Sequence, residues 1–249
     1  MTARIGLIIP SSNRMVEEEM VRHVPPGVTA HVARLRMTGA HRVSLDALLP
    51  RVAEAAALLA DSRCDVIAFH CTANSTAEGL MGEVQLLNAL QTAGARRVTT
   101  TASALRHAFN LIGVRRIVLL TPYSQRTTDE EAEFFRGTGY EVPYAKGFAL
   151  AGSDEYCATP AQFWRDRALE AARPDADVYF LSCANISTFP IIEELERKLG
   201  RPVVSSNQAV LFEALWLCDN DDRRNCCGSL FDYSIHEQTQ RREFLRQTR

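Results

Sequence analysis

Two similar segments, each an apolar run that ends at a cysteine, constrain this chain more than any other feature of its sequence. DVIAFHCTANS covers residues 65–75 and DVYFLSCANIS covers residues 177–187, so Cys71 and Cys183 lie 112 positions apart (183 minus 71). An apolar run that stops at small polar residues is typical of a buried strand followed by a turn. The repeat predicts a duplicated fold in which both cysteines reach one cleft.

Two further pairs of segments repeat in the same order. ARIGLIIPSSNRMVEEE, from Ala3, resembles VRRIVLLTPYSQRTTDEE, from Val114. RRVTTTASALRHAF, from Arg96, resembles RPVVSSNQAVLFEAL, from Arg201. Strands that alternate with helical patterns predict parallel sheets with helices on both faces. The sequence therefore predicts an α/β protein with two pseudo-symmetric, doubly wound parallel-sheet lobes and a site in the cleft between them.

The predicted carboxyl ends of the strands carry small polar residues and both cysteines. In sheets of this kind ligands bind outside these ends, where helices begin and their backbone N–H groups can hold an anion. A helix is predicted from about Thr76 to Thr92, and Ser11-Ser12-Asn13 before acidic residues is a helix-capping signal. We expect a small anionic ligand, held among Ser11, Asn13, Cys71, Asn74, Tyr123, Cys183, Asn185, Ser205 and Ser206.

Composition excludes several classes of partner. The chain has 249 residues, 46% apolar and 23% charged, and a formal net charge of −2, which gives no electrostatic reason to expect nucleic acid or an anionic membrane. The apolar runs fall far short of the roughly 20 residues that span a bilayer. The N-terminal residues lack a signal-peptide pattern. We expect a cytoplasmic protein with neither nucleic acid nor membrane as partner.

The sequence lacks the common cofactor and metal motifs. GxGxxG after the first strand, GxxxxGK[ST], GxSxG and HExxH do not occur, which favours a reaction without cofactor. Cys218 with its acidic neighbours and the adjacent Cys226 and Cys227 fit no zinc spacing, so no metal site is predicted. Seven cysteines are an odd number, and a reducing cytosol argues against a disulfide framework.

Thiol chemistry gives the repeated cysteines their predicted role. A thiol has a pKa of about 8.5, and a helix N-terminus lowers it, so that thiolate forms near neutral pH. Two thiols beside one substrate can pass a proton across it, or one can add to carbon while the other handles the proton. The alternative is a pair of buried cysteines retained from the duplication. His70 is predicted to be structural, because neighbouring residues of a strand point to opposite faces.

Six motifs carry a resemblance to a known family: IIPSSN, FHCTANS, TPY at residues 121–123, LSCANIST, GRPVVSSNQAVLFEAL and GSLFDYS at residues 228–234. Together they resemble the aspartate/glutamate racemase superfamily, and specifically its maleate cis-trans isomerase and arylmalonate decarboxylase branch. The resemblance implies a homo-oligomer without metal or organic cofactor. It also implies that the chain returns to the first lobe after Asn207, giving lobes of residues 1–99 plus 207–249 and of residues 100–206.

The resemblance also implies roles for individual residues. The decarboxylase has one catalytic cysteine, at the position of Cys183, and a glycine at the position of Cys71, so two thiols favour an isomerase or a racemase. In an isomerase-like reaction Cys71 is the nucleophile and Cys183 the acid and base. The residues predicted to bind a small carboxylate or dicarboxylate are Ser11, Asn13, Thr72, Ala73, Asn74, Tyr123, Ala184, Asn185, Ser205 and Ser206.

Two departures from the family pattern leave alternatives open. Arg14 stands where the isomerases usually have threonine, and it is either a solvent-facing helix residue or an added carboxylate contact. The small polar residues after Cys71 are typical of amino-acid racemases. A racemase or epimerase, a decarboxylase that uses the same thiols, and a non-catalytic carboxylate binder therefore remain alternatives. The tail beyond Arg223 is predicted to be partly disordered or to form an oligomer contact.

Overall fold

The computed structural model describes residues 3–37, 43–222 and 226–233. Within these ranges all strand pairs are parallel and form two four-stranded sheets, of order β2-β1-β3-β4 and β6-β5-β7-β8. The strands are β1 Ala3–Pro10, β2 Val28–Leu35, β3 Val66–Phe69, β4 Val98–Thr100, β5 Arg116–Thr121, β6 Glu141–Gly147, β7 Val178–Leu181 and β8 Val203–Ser205. The predicted α/β class and parallel sheets are confirmed.

Helices connect the strands in both halves. They are α1 Val16–Glu19, α2 Leu45–Asp61, α3 Thr72–Thr76, α4 Gly79–Thr92, α5 Thr101–Ile112, α6 Gln125–Gly137, α7 Ser153–Ala158, α8 Ala161–Glu170, α9 Ile192–Leu199 and α10 Ser206–Leu217. The predicted helix from Thr76 to Thr92 was wrong at its start. The left-handed backbone of Gly79, with φ +63°, separates α3 from α4. Among the described residues, no helix combines the length and apolar character of a membrane span.

The duplication predicted from the sequence is visible in the strand registers. Ile5 lies opposite Val66 in the β1–β3 pair, and Ile117 lies opposite Val178 in the β5–β7 pair, so both partners shift by the same 112 positions. The strand orders of the two sheets are also equivalent. The two halves therefore place their cysteine turns at corresponding ends of corresponding strands.

The aspartate that opens each repeated segment has the same task in both halves. Asp65 accepts a hydrogen bond of 2.9 Å from the backbone N–H of Arg4, at the start of β1. Asp177 accepts one of 2.8 Å from the backbone N–H of Arg116, at the start of β5. Each carboxylate thus ties the third strand of its half to the first, which explains why the Asp-Val pair occurs twice.

Both faces of each sheet are buried. Side chains alternate between the two faces of a strand, so neighbouring residues of one strand join different clusters. Leu7 of β1 joins a cluster that contains side chains from both sheets, whereas its neighbour Ile8 joins a cluster on the other face of the first sheet. Phe109 of α5 and Phe212 of α10 belong to the cluster shared by the sheets. Burying one such side chain contributes roughly 1.5–3 kcal/mol. This shared core holds the two sheets in one arrangement.

The segment 226–233 packs against both α9 and α10. Gln208 donates to the carbonyl of Cys227 at 2.8 Å, and the backbone N–H of Ser229 donates to Glu196 at 2.9 Å. Because α9 and α10 belong to different predicted lobes, the division into residues 1–99 plus 207–249 and 100–206 stays a prediction. Residues 223–225 and 234–249, including the last residue of the GSLFDYS motif and most of the predicted tail, lie outside the described residues.

A buried hydrogen-bond network also links the halves. His70 shares a 2.8 Å bond with Asn207 Oδ1 through Nε2, and Asn207 Nδ2 donates to Glu19 at 3.0 Å. Glu19 further accepts the backbone N–H of Phe189 at 2.9 Å. Since Glu19 only accepts, Asn207 presents its oxygen to His70, so Nε2 carries the proton and Nδ1 faces the Thr101 hydroxyl at 3.0 Å. His70 is therefore structural, as predicted from its place on the strand.

The burial of His70 predicts a pH dependence of stability. Burial lowers its pKa from 6.5 to about 4, so the folded imidazole stays neutral where the unfolded one takes up a proton. The free energy of unfolding should therefore fall as pH drops from 6.5 towards 4, by about 2 kcal/mol between pH 7 and pH 5. Urea unfolding of the unchanged protein and of His70→Asn at several pH values gives the free energy of unfolding as a function of pH. The contribution of His70 is the difference between the slopes of these two plots.

A matched control for this measurement is His31→Asn, which removes an imidazole outside the buried network. Burial also raises the pKa of Glu19, which shares Asn207 with His70, so Glu19→Gln with and without His70→Asn separates the two titrations. Equal slopes for His70→Asn and the unchanged protein would contradict the assignment.

Candidate active site

A cavity of about 80 Å³ lies at the carboxyl ends of the central strands. This volume corresponds to roughly five to eight water positions, which suits a small organic molecule. The cavity collects residues from both halves of the chain, namely Pro10, Ser12, Asn13, Met37, Cys71, Thr72, Ala73, Asn74, Tyr123, Thr127, Ser153, Tyr156, Cys183, Ala184 and Asn185. The cleft predicted from the duplication is therefore present.

Both repeated cysteines line the cavity, in different surroundings. Cys71 directly precedes α3 and is partly exposed, and the side-chain amide of Asn74 donates to its sulfur at 3.3 Å. Cys183 is only 6% exposed, and its sulfur accepts the backbone N–H of Asn185 at 3.3 Å. No disulfide joins any of the seven cysteines, all of which the structure describes. The two thiols thus differ in access to a ligand.

The protonation state of Cys183 differs from the prediction that a helix N-terminus lowers the pKa. Burial raises the pKa of the Cys183 thiol to about 12, and hydrogen bonds from the Tyr123 hydroxyl and the Asn185 N–H oppose this only in part. Burial also raises the pKa of Tyr123 well above its usual value. The next helical turn after Cys183 begins at Phe189, so the sulfur lies at no helix N-terminus. Cys183 is therefore a protonated thiol near neutral pH.

The backbone of Cys183 is strained. Its φ of +140° is rare for any residue other than glycine, and such conformations cost roughly 1–3 kcal/mol. The backbone N–H of Cys183 donates to the hydroxyl of Ser206 at 3.2 Å, and Thr72 donates to the same hydroxyl at 2.8 Å. One serine hydroxyl therefore joins the two cysteine turns and helps to hold the strained one.

Two asparagines cross-link the turn after β1 with the turn after Cys183. Asn13 accepts the backbone N–H groups of Met15 and Val16 at 3.1 and 3.0 Å, and donates to the carbonyl of Ala184 at 2.9 Å. Asn185 accepts the backbone N–H of Arg14 at 2.8 Å. Asn13 therefore accepts backbone N–H groups at the start of α1, although the N-cap of that helix is Met15 and not a residue of the predicted Ser-Ser-Asn signal, and it also shapes the wall of the cavity.

The structure brings most of the predicted site residues to the cavity. Those that line it are Asn13, Cys71, Thr72, Ala73, Asn74, Tyr123, Cys183, Ala184 and Asn185. Ser11, Ser205 and Ser206 are absent from this lining. The hydroxyl of Ser11 accepts the backbone N–H of Met37, and Ser205 caps α10 by accepting the N–H of Gln208. Their strand-end positions were predicted correctly, but their hydroxyls serve the fold.

Six lining residues were missed by the sequence analysis, namely Pro10, Ser12, Met37, Thr127, Ser153 and Tyr156. Tyr156, on α7, is 5% exposed, and its ring meets that of Tyr123 edge-on at 6.1 Å between centroids. Ser12 belongs to the PSSN turn and could have been included with its neighbours. The short α7 carries no apolar repeat that predicts a role in the site.

The lining of the cavity is uncharged: among the described residues that form it, none is Lys, Arg, His, Asp or Glu. The guanidinium of Arg14 lies outside the lining, where it donates to Asp154 at 2.7 Å and is about half exposed. Of the two interpretations left open for Arg14, the structure favours a half-exposed residue outside the cavity, because its charge is directed to Asp154. Carboxylates in this cavity would meet N–H and O–H donors.

Comparison with known proteins finds relatives along nearly the whole chain. A maleate isomerase of Geobacillus stearothermophilus is 26% identical over 226 residues, which cover 85% of this chain and 90% of that protein. An arylmalonate decarboxylase of Bordetella bronchiseptica is 28% identical over 237 residues, which cover 94% of this chain and 98% of that protein.

Solved structures match the fold as a whole. An arylmalonate decarboxylase variant with a glycine-to-cysteine and a cysteine-to-serine substitution, in a liganded form, has a TM-score of 0.85 at 26% identity and covers 93% of this chain and 99% of its own. A second match is a cysteine-to-serine mutant of the Nocardia farcinica maleate cis-trans isomerase with a covalently bound succinylcysteine intermediate. Its TM-score is 0.81 at 24% identity, and the match covers 92% of this chain and 98% of the isomerase chain. The sequence profile of the arylmalonate decarboxylase family matches residues 5–231, so the chain belongs to this family.

Proposed function

We propose that this chain is a cofactor-independent isomerase that uses two cysteines to convert maleate, or a closely related cis-dicarboxylate, into its trans isomer. One observation carries the proposal: a partly exposed thiol and a buried, protonated thiol line the same small cavity, in which none of the described lining residues is charged. The relative in Geobacillus stearothermophilus is a maleate isomerase, which supports this substrate.

The first half of the reaction uses Cys71 as nucleophile. Its thiolate adds to one alkene carbon, a C–S bond forms, and the electron pair of the double bond moves onto the neighbouring carbon and its carboxylate as an enolate. The amide of Asn74, which donates to the Cys71 sulfur, and the start of α3 stabilise the thiolate. Cys183 then donates its thiol proton to the enolate carbon, which leaves a single bond free to rotate.

The second half reverses these steps after rotation. The Cys183 thiolate, whose conjugate acid has a pKa of about 12, is a strong base and takes the proton back. The electron pair re-forms the double bond, the C–S bond breaks, and the trans-dicarboxylate leaves with the Cys71 thiolate restored. Protons and electrons balance over the cycle, so the reaction needs no oxidant, reductant or additional base.

Neutral donors hold the substrate in this proposal. We propose that the backbone N–H groups at residues 72–74 and 184–185 and the side chains of Asn13 and Tyr123 bind the carboxylates and stabilise enolate charge; all of these residues line the cavity. Fixed donors in a cavity shielded from water stabilise such charge more than water does. The proposal also includes a homo-oligomer, as the family resemblance implies, and a cytoplasmic location, as the absence of a signal-peptide pattern indicates; sedimentation and cell fractionation would test them.

Substitution of each thiol tests the assigned roles. Cys71→Ser should lower the rate of fumarate formation from maleate by roughly 10³-fold or more, because a hydroxyl is a far weaker nucleophile than a thiolate. Cys183→Ser should lower it by roughly 10²–10⁴-fold, the usual contribution of a positioned acid and base. Chromatographic measurement of fumarate gives both rates.

Cys218→Ser is the matched control, since Cys218 lies outside the cavity lining, and it should retain the rate of the unchanged protein within about twofold. Full turnover by Cys71→Ser would refute the isomerase mechanism. Ligand-induced thermal stabilisation without turnover in the unchanged protein would instead favour the non-catalytic binder.

Decarboxylation of an arylmalonate is a second candidate, favoured by the Bordetella bronchiseptica relative, which covers more of this chain than the isomerase does. That reaction needs a proton donor at Cys183 but no nucleophile at Cys71. Loss of CO₂ from phenylmalonate at an undiminished rate in Cys71→Ser would establish it. Deuterium uptake from solvent into a chiral carboxylate, without an adduct, would instead indicate a racemase.

A further inference from the structure

The short helix α7 forms one part of the cavity wall, and its position depends on the turn after β1. α7 contributes Ser153 and Tyr156 to the lining. The Ser153 hydroxyl donates to that of Ser12 at 2.9 Å. The backbone just before α7 has positive φ at Ala149 (+53°) and Gly152 (+111°), so the chain changes direction sharply there. Backbone hydrogen bonds hold residues 148–150 to residues 121–123, whereas α7 itself is held by side chains from the first turn.

Arg14 makes two contacts with α7 and a third with the turn after Cys183. Its guanidinium donates to the carbonyl of Ser153 at 2.9 Å and to the carboxylate of Asp154 at 2.7 Å. Its backbone N–H donates to Asn185 Oδ1 at 2.8 Å, and the thiol of Cys157, on α7, donates to the same oxygen at 3.1 Å. Arg14 thus connects the first turn, α7 and the turn that follows the Cys183 thiol.

We propose that Arg14 is a positioning residue that sets α7 against the cavity and thereby limits the size of the dicarboxylate that can react. This inference rests on the proposed isomerase function, because that function supplies the dicarboxylate substrate. Tyr156 is nearly buried at the wall, so a substituent on the alkene competes with its ring for space. When the contacts of Arg14 are lost, α7 moves more easily. The kcat/KM of larger substrates then rises relative to that of maleate.

The strength of this attachment is modest. The Arg14 and Asp154 side chains are 54% and 99% exposed, and an exposed ion pair of this kind is weak and sensitive to salt. Its loss should therefore change the equilibrium constant for docking of α7 by about fivefold at most. The expected effect is a shift in selectivity towards larger substrates, with kcat and KM for maleate nearly unchanged.

Asp154→Asn is the most informative variant, because it weakens the attachment and keeps the Arg14 guanidinium, which also has a side-chain hydrogen bond with Cys157. The first measurement needs no substrate: peptide mass spectrometry follows alkylation of Cys157 by iodoacetamide at several pH values, so that rates are compared at equal thiolate fraction. We expect Cys157 to react about fivefold faster in Asp154→Asn than in the unchanged protein. Glu18→Gln, which removes the carboxylate of another exposed ion pair on α1, should leave the rate unchanged.

The second measurement compares maleate with 2-methylmaleate. Asp154→Asn should raise kcat/KM for 2-methylmaleate by up to about fivefold and change kcat/KM for maleate by less than about twofold, so the ratio of the two increases. Exchanging the two charges, Arg14→Asp with Asp154→Arg, should restore part of the original ratio. A purely structural role would lower both kcat/KM values equally and leave their ratio unchanged.

The two measurements separate this inference from the proposed function. Alkylation of Cys157 at the unchanged rate in Asp154→Asn would overturn the positioning role, whether or not the protein isomerises maleate. Faster alkylation of Cys157 with an unchanged ratio of kcat/KM for 2-methylmaleate to that for maleate would overturn the proposed effect on selectivity. Absence of maleate turnover in the unchanged protein would refute the isomerase function, and the alkylation rates would still decide the role of the Arg14 contacts.

Discussion

The buried carboxylate of Glu19 joins the two halves of the molecule, and the geometry of both cysteine turns depends on it. It accepts the hydroxyl of Thr188, which follows the second cysteine turn, and the amide of Asn207, which shares a hydrogen bond with His70 beside the first. A buried polar group that loses its partner costs about 1–3 kcal/mol, so these bonds support one another. The duplicated sheets thereby become one framework with two thiols at one cavity.

The two thiols divide the proposed chemistry because their surroundings differ. Cys71 is partly exposed at the start of a short helix, which suits a nucleophile that must meet its substrate. Cys183 is buried, and its high pKa keeps the proton that an enolate needs. The Ser206 hydroxyl holds the strained backbone of Cys183 and also meets Thr72. Burial, backbone strain and hydrogen bonding therefore act together: they hold Cys183, the proposed proton donor, at the same cavity as the proposed nucleophile Cys71.

Features that repeat in the sequence could be predicted, whereas those formed by tertiary contacts could not. The 112-residue repeat predicts the paired sheets and brings both cysteines to one cavity, because strand periodicity and strand ends are local properties. The wall position of Tyr156 depends on how α7 meets the turn that contains Arg14, and the pKa of Cys183 depends on distant side chains that bury it. Ser205 was misplaced because capping a helix and binding a ligand favour the same residue type.

The most direct test of the central claim, that Cys71 forms a covalent bond with the substrate, is peptide mass spectrometry of the Cys183→Ser variant after incubation with maleate. Water or the serine hydroxyl can still protonate the strongly basic enolate, whereas no Cys183 thiolate is left to remove that proton again, so the adduct should accumulate. The account predicts one adduct with the mass of a single maleic acid, located on the peptide that contains Cys71 and absent when Cys71→Ala is added. No adduct, or an adduct on another cysteine, would contradict it.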